Sequence, residues 1–369
     1  MKINLISYHF GETGFGKYSQ SLYNSLVNLR GNESIHKTHF DFESRKVKKG
    51  NGNIRIIKND YKIPLIDNYL LFGMRNKNVL SREGYDINHI LVQTLSFLNI
   101  SPKIITCHDI IPFKAPQMFS DHLFNRLKYR GLKEADAIIA VSEYTKKDLI
   151  NFGVNEEKIH RIYQGIEIKN SNIPKEQLCN KYGLPNEKEF ILFVGMETPR
   201  KNFIRILKAF AKINNSAKNI HLIKVGIAGG KKFRKESLKI VKKLNLEKKV
   251  TFVGHVSDSE LTGFYKMATL FIFPSLYEGF GRPVLEAMTC GTPVITSNTS
   301  SLPEVVGDAG IMVNPYDVNA LAEAMERVLK SDKIQRVMRK NGLKRAKNFS
   351  WEKCAKETLK VYEKVLGEG

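Results

Sequence analysis

The sequence predicts an α/β protein built from two doubly wound, Rossmann-like domains, and three observations carry that prediction. Apolar runs of strand length recur along the chain, amphipathic stretches of helical length fall between them, and the alternation restarts near Phe190 after a polar segment. Alternation of this kind means βαβ units and a mostly parallel sheet. In the first half the strands read INLISY, NIRIIK, INHILV, KIITCH and AIIAVS. In the second half they read FILFVG, HLIKVG, VTFVG, LFIFPS and PVITSN. The polar stretch QGIEIKNSNIPKEQLCNKYGLPNEKE puts the junction around residues 164–187. No short internal repeat and no low-complexity tract interrupts the pattern.

Composition agrees with two folded cores. The chain has 369 residues, 42% of them apolar and 26% charged, which excludes a disordered polymer, a collagen-like repeat and a disulfide-stapled mini-protein. A net charge of +22 favours an anionic partner, whether nucleotide, nucleic acid or acidic membrane face. Cys107, Cys179, Cys290 and Cys354 are scattered and form no CxxC pair, as in a reduced, cytoplasmic chain without a zinc module. The start, MKINLISYHFGETG, reads as a first strand and not as a secretory signal. No run approaches the roughly 18 to 20 apolar residues that span a bilayer.

Four loops carry chemistry, in chain order. GETGFGKYSQSLYNSL follows the first strand and opens an amphipathic helix, where free N–H groups and the dipole attract an anion. Gly11 to Lys17 spells GxxxxGK, but Tyr18 stands where a P-loop needs Ser or Thr for magnesium, and Ser19 leaves the GxGxxG unfinished. A tight turn without a ligand accounts for the same glycines. Next, KIITCHDIIPFKAP delivers His108 and Asp109 to the carboxyl end of a strand, where open α/β sheets hold their ligands. A lone histidine there serves structure as readily as function.

The third loop, FVGMETPRKNFIRILKAFAK, brings Arg200 and Lys201 to the start of a helix whose apolar stripe is Phe203, Ile206, Leu207 and Phe210. Cations oppose the dipole there, so the placement wants an anion such as a diphosphate. Lys201 is read as a surface cation of small consequence for folding. KKFRKESLKIVKKLNLEKKV then predicts a surface helix with a basic outer face, or more sharply an anion-docking face. The fourth loop, in PSLYEGFGRPVLEAMTCGTPVITSNTSS, puts Glu278 among glycines and Glu286 about one turn inside a helix. Pro283 suits the first helical position and Gly291 the exit. The two glutamates fit two grips on one long ligand better than the facing acid and nucleophile of a glycosidase. A final helix follows the cap candidate Ser350, with Trp351, Ala355, Leu359 and Tyr362 at helical spacing.

On these residues the chain resembles the retaining glycosyltransferases of family 4, which have the GT-B fold. EGFGRPVLE is similar to their E-x7-E motif. Further matches run in order through GFGKY, HDIIPF, VSEYTKKDL, FVGMETPRKN and FVGHVSDSEL, covering nearly the whole chain. The resemblance implies an acceptor-binding domain over residues 1–170, a nucleotide-sugar-binding domain over 188–349 facing it across a cleft, and a terminal helix over 350–369 crossing back. It implies a hexose moved from a UDP- or GDP-linked donor to an acceptor hydroxyl on a lipid-linked or cell-surface glycan, with no cofactor, no metal and no nucleic acid. Gly16 would meet the donor phosphates, and His108 would line the reaction centre. Arg200 and Lys201 would neutralise the leaving diphosphate. Glu278, with the backbone of Phe280 and Gly281, would hold the transferred sugar, Glu286 the ribose, and Val256 would lie near the base. Met196 stands where many relatives have Arg, which shifts charge onto Arg200 and Lys201, and the chain contains no Asp-x-Asp.

Two alternatives remain at this stage: a GT-B-like sugar-nucleotide epimerase, and a P-loop nucleotide hydrolase resting on GETGFGK and Asp109. A nucleic-acid binder explains the charge but not the ordered loops. NYLLFGMRNKN and DHLFNRLKYRGLK, which set apolar residues beside cations, are candidate contacts with an anionic membrane surface.

Overall fold

The computed structural model describes residues 1–8, 14–41, 54–58, 84–114, 129–214 and 219–367. Among them seven strands build the first sheet: β1 (Ile3–Ser7), β2 (Ile35–Asp41), β3 (Ile54–Lys58), β4 (Ile87–Ile90), β5 (Lys103–Cys107), β6 (Ala137–Ala140) and β7 (Ile159–Arg161). All pairings are parallel, in the order β3-β2-β1-β4-β5-β6-β7. The residues of β1, β4, β5 and β6 are buried throughout, as helices on both faces require. β2 and β7 are absent from the sequence expectation. In β2, IHKTHFD hides its role behind Lys37, which is buried and lies over the Tyr23 ring at 3.6 Å. β7 has only three residues.

Among the described residues before the junction, the helices are α1 (Gly14–Arg30), α2 (Ile111–Lys114) and α3 (Glu143–Asn151). Ser142 caps α3 by accepting from the Thr145 N–H at 2.9 Å.

The second sheet has six parallel strands: β8 (Glu189–Val194), β9 (Ile220–Val225), β10 (Val250–Val253), β11 (Leu270–Phe273), β12 (Val294–Ser297) and β13 (Ile311–Val313). Their order is β10-β9-β8-β11-β12-β13. Around them lie α4 (Lys175–Tyr182), α5 (Phe203–Ile213), α6 (Lys231–Lys243), α7 (Asp258–Met267), α8 (Arg282–Thr289), α9 (Leu302–Val306), α10 (Val318–Leu329) and α11 (Asp332–Ala346). The predicted stripe of α5 is fully buried. In α6 only Ser237 and Val241 are buried, and Leu238 is 48% exposed, so its basic face is a solvated one. The last helix, α12 (Trp351–Leu366), is capped by Ser350, which accepts from the Lys353 N–H.

Two compact units result: Met1–Gly165 with Phe349–Gly369, and Ile166–Asn348. The boundary falls two residues into the polar junction segment, whose residues from Ile166 on belong to the second unit and include α4. In both sheets the first strand lies inside, and winding reverses between β1 and β4 and between β8 and β11. At such a reversal the connections leave to opposite faces and open a ligand crevice at the carboxyl ends of the strands.

Candidate active site

In the second unit, the reversal lies between the ends of β8 and β11, and the loops leaving these two strands carry the charged residues singled out in the sequence. After β8, Pro199–Lys201 forms a single 3-10 turn, and Asn202 leaves it in the left-handed region at φ 63° to start α5. After β11, the loop reaches Glu278. One carboxylate oxygen of Glu278 collects Lys201 Nζ at 2.7 Å, Arg200 Nη1 at 2.8 Å and the Ser275 hydroxyl at 2.5 Å. Burial alone would raise the Glu278 carboxyl, but Lys201 and Arg200 outweigh it and hold it at about 2. The anion that the two cations demanded is thus supplied by the chain itself. Lys201 is buried, which corrects its reading as a surface cation.

The turn is fixed from both sides. The Leu276 N–H donates to the Arg200 carbonyl at 2.8 Å, and Arg200 Nη1 also reaches the Tyr277 carbonyl at 2.6 Å. The Asn202 amide donates to the carbonyls of Pro274 and Pro315, at 2.9 and 2.7 Å. From beyond β12, the Ser300 hydroxyl accepts the Glu278 N–H, and the Ser301 hydroxyl shares its proton between the Glu278 and Phe280 carbonyls. Asn202, Ser300 and Ser301 went unread in the sequence, because the partners that fix the loop lie 21 to 113 positions away, and so did Ser275, whose hydroxyl also reaches the Arg200 carbonyl 75 positions off. Only the neighbourhood of Asn202 to Arg200 and Lys201 hinted at a role.

Phe280 is buried, and Gly281, at φ 110°, is the N-cap of α8; a Cβ there would stand 2.6 Å from Leu302 Cδ2. Pro283 is the second helical residue and not the first. Glu286 is held one turn into the helix by Arg282 Nε at 2.9 Å and by the Tyr265 hydroxyl of α7, also at 2.9 Å. Val256 is buried and directly precedes Ser257, which forms a capping box with Glu260 at the start of α7.

A second charged cluster lies beside the first and was not foreseen. Glu197, with no side-chain exposure, meets Lys224 Nζ at 3.0 Å and takes three contacts from Arg234, Nε at 2.9 Å to each carboxylate oxygen and Nη2 at 2.6 Å to Oε1. Each cluster sets two cations against one carboxylate, leaving a net positive charge at the end of the sheet where a phosphate-bearing ligand would lie. Among the described residues no three His, Cys, Asp or Glu side chains come together as a metal site.

In the first unit, the reversal lies between β1 and β4. His108 follows β5, and its Nε2 lies 3.0 Å from the Leu91 carbonyl just past β4. A carbonyl only accepts, so Nε2 carries the proton and the neutral ring keeps its Nδ1 lone pair. Burial lowers the His108 pKa to about 4. The ring packs edge-on to Tyr18 at 4.7 Å and against Phe15 at 4.9 Å, both from α1, which also contains the buried Gly16. Gln93 accepts the His108 N–H and donates to the Asp109 carbonyl. The Asp109 side chain accepts the Ile111 N–H at the start of α2, and the Tyr18 hydroxyl is buried against Thr106. Neither group stands ready for magnesium, so the P-loop alternative gains nothing.

Of the two candidate membrane contacts, residues 68–78 and 121–128 lie outside the described residues. In the remainder, Arg130 pairs with Glu134 at 3.2 Å and Lys133 lies over the Phe152 ring. Among the described residues no helix is long and apolar enough to cross a membrane.

Comparison with known proteins fits this geometry. Residues 174–345 match the family model of Glycosyl transferases group 1, and residues 36–170 that of Glycosyltransferase Family 4. The chain is 30% identical to O-antigen chain mannosyltransferase B of Escherichia coli, across 95% of this chain and 96% of that one. It is 32% identical to O-antigen chain mannosyltransferase RfbU of Salmonella typhimurium, across 61% and 60% of the two chains. Sucrose-phosphate synthase from Thermosynechococcus elongatus superposes with a TM-score of 0.82 at 24% identity over the full length of both. WaaG, a glycosyltransferase involved in lipopolysaccharide biosynthesis, gives 0.76 at 19%, covering 99% and 100%.

Proposed function

The chain belongs to the family 4 glycosyltransferases, with the GT-B fold, and we propose that it carries out retaining, metal-independent transfer of mannose from a nucleoside diphosphate donor to a glycan hydroxyl. The observation that carries this reading is the Arg200–Glu278–Lys201 cluster at the winding reversal of the second sheet. Arg200 and Lys201 take up the charge that develops on the departing diphosphate, in a buried setting where fixed charges act most strongly. Glu278 exchanges part of its hold on them for hydroxyls of the transferred sugar, beside the backbone of Phe280 and Gly281. Glu286 grips the ribose, and Val256 lies by the base. Gly16 is assigned to a donor phosphate and His108 to the transferred sugar. A neutral His108 accepts a hydrogen bond from a sugar hydroxyl through Nδ1 and is a poor proton shuttle near pH 7. The acceptor proton passes to the departing phosphate oxygen, so no side chain is assigned as general base.

Two relatives are O-antigen chain mannosyltransferases, which supports mannose as the sugar and a lipid-linked or cell-surface glycan as the acceptor. A panel of UDP- and GDP-linked mannose, glucose and galactose, with and without EDTA, tests the reading. A mannose donor should be consumed at least roughly tenfold faster than its epimers, with or without chelator. Consumption of no donor, or loss of turnover in EDTA, contradicts it. We further propose work at the cytoplasmic face of an anionic membrane, supported by the net charge of +22. Sedimentation with anionic but not neutral vesicles is expected; recovery in the supernatant with both counts against it.

A further inference from the structure

We propose that Lys224 and Glu197 are positioning residues that aim the two leaving-group cations, an inference that rests on the assignment of Arg200 and Lys201 to the diphosphate. β8 and β9 are parallel neighbours, with Phe193 opposite Lys224. Lys224 sits one residue before the end of β9 and has no side-chain exposure. Its three ammonium protons have three acceptors: Glu197 Oε1 at 3.0 Å and the carbonyls of Gly226 and Ile227 at 2.6 and 2.8 Å. Burying an ammonium and a carboxylate is a poor route to stability, since an apolar pair of similar volume usually serves as well. What the pair does provide is geometry.

Glu197 stands three residues before Arg200, and its N–H donates to the Ala228 carbonyl at 3.2 Å. Lys224 therefore joins the segment Gly195–Thr198 to the glycine-rich loop 226–230. Arg234, in the first turn of α6, holds the same carboxylate, its Nη2 on the oxygen that Lys224 also meets, and lies over the Phe252 ring at 4.6 Å. The loop rests directly on that segment: a Cβ on Gly229 would stand 3.1 Å from Met196 Cβ and from Thr198 Cγ2. Asn202 anchors the other end of the turn through Pro274 and Pro315. The chain from Glu197 to Asn202 is thus pinned at both ends, and Arg200 and Lys201 lie between the pins. Loosening either pin costs the cations their aim without touching a group that contacts substrate.

Lys224→Met removes the ammonium while keeping the reach of the side chain, and Lys224→Arg restores the charge. Turnover is measured per folded site, together with the affinities of a nucleoside diphosphate and its parent nucleoside. Lys224→Met should lower kcat about 30-fold and diphosphate affinity about tenfold, leave the nucleoside within about twofold, and recover most of both in Lys224→Arg. Should Lys224→Met fail to fold, Glu197→Gln should give the same pattern at about threefold to tenfold. Equal losses for nucleoside and diphosphate, or a lowered Tm with unchanged turnover per folded site, would overturn the inference. Lys201→Ala separates the two levels: full activity there sinks the leaving-group assignment itself. A loss there with none in Lys224→Met sinks the positioning role alone.

Discussion

At Glu278 a single carboxylate oxygen gathers Lys201, Arg200 and Ser275, and that arrangement sets what each substitution does. Lys201→Ala should lower turnover by about 10²-fold, because one of two charges on the leaving group is gone. It should also cost about 1–3 kcal/mol of stability, since a buried carboxylate keeps only Arg200 and a hydroxyl. Both effects are read from one preparation, by donor turnover and by denaturant unfolding; unchanged turnover would misplace the diphosphate site. Arg200, Lys201, Glu278 and Glu286 stood out in the sequence because charged residues in and beside glycine-containing strand exits need a reason. Their mutual pairing was not. Nothing local to Lys201 says that its partner is 77 residues away, so a buried ion pair looked like a surface cation. Separation along the chain likewise hid the pairing of Glu197, in a loop, with Lys224, in a strand.

Elements whose apolar residues are consecutive or periodic were legible, and those built on a mixed pattern were not. α5 shows its stripe in sequence and buries it as expected. β2 was missed because Lys37 and Thr38 fill places that an apolar run would have announced. In α8, Arg282 and Tyr265 each hold one oxygen of the Glu286 carboxylate, the group proposed to meet the ribose. Glu286→Ala should weaken donor affinity about tenfold with kcat nearly unchanged, since a ribose contact serves ground and transition states alike. Calorimetry decides, and unaltered affinity would move the ribose elsewhere. α12 owes its seat to a polar contact as well as its apolar face: the Tyr362 hydroxyl lies 2.6 Å from His89 Nδ1, and His89 Nε2 lies 2.8 Å from the Thr106 hydroxyl that also meets Tyr18. Tyr362→Phe should cost about 1–3 kcal/mol, because a buried ring nitrogen loses its partner. An unfolding midpoint equal to wild type would show the contact to be idle.

Over the whole molecule, the strand alternation foretold two parallel sheets, though not β2, β7 or β13, the last two being too short to stand out. The same burial makes the first unit sensitive to acid. Burial lowers His89 to about 3, with His108 adding to the effect, and lowers His108 to about 4, against an ordinary value of 6.5. Between 6.5 and these values the unfolded chain binds more protons than the folded one, so stability is full above pH 6.5 and falls as pH drops through that window. At pH 5 the loss is about 2 kcal/mol for each ring. Urea midpoints at pH 7.5 and 5.0 test this, and His89→Asn should shrink the difference; an equal midpoint at both pH values would mean that the rings protonate freely. The central claim, retaining sugar transfer on a diphosphate leaving group, is met most directly by NMR of the first-formed product. The transferred mannose should carry the anomeric configuration it had in the nucleotide donor. Appearance of the opposite anomer before any equilibration would contradict the account.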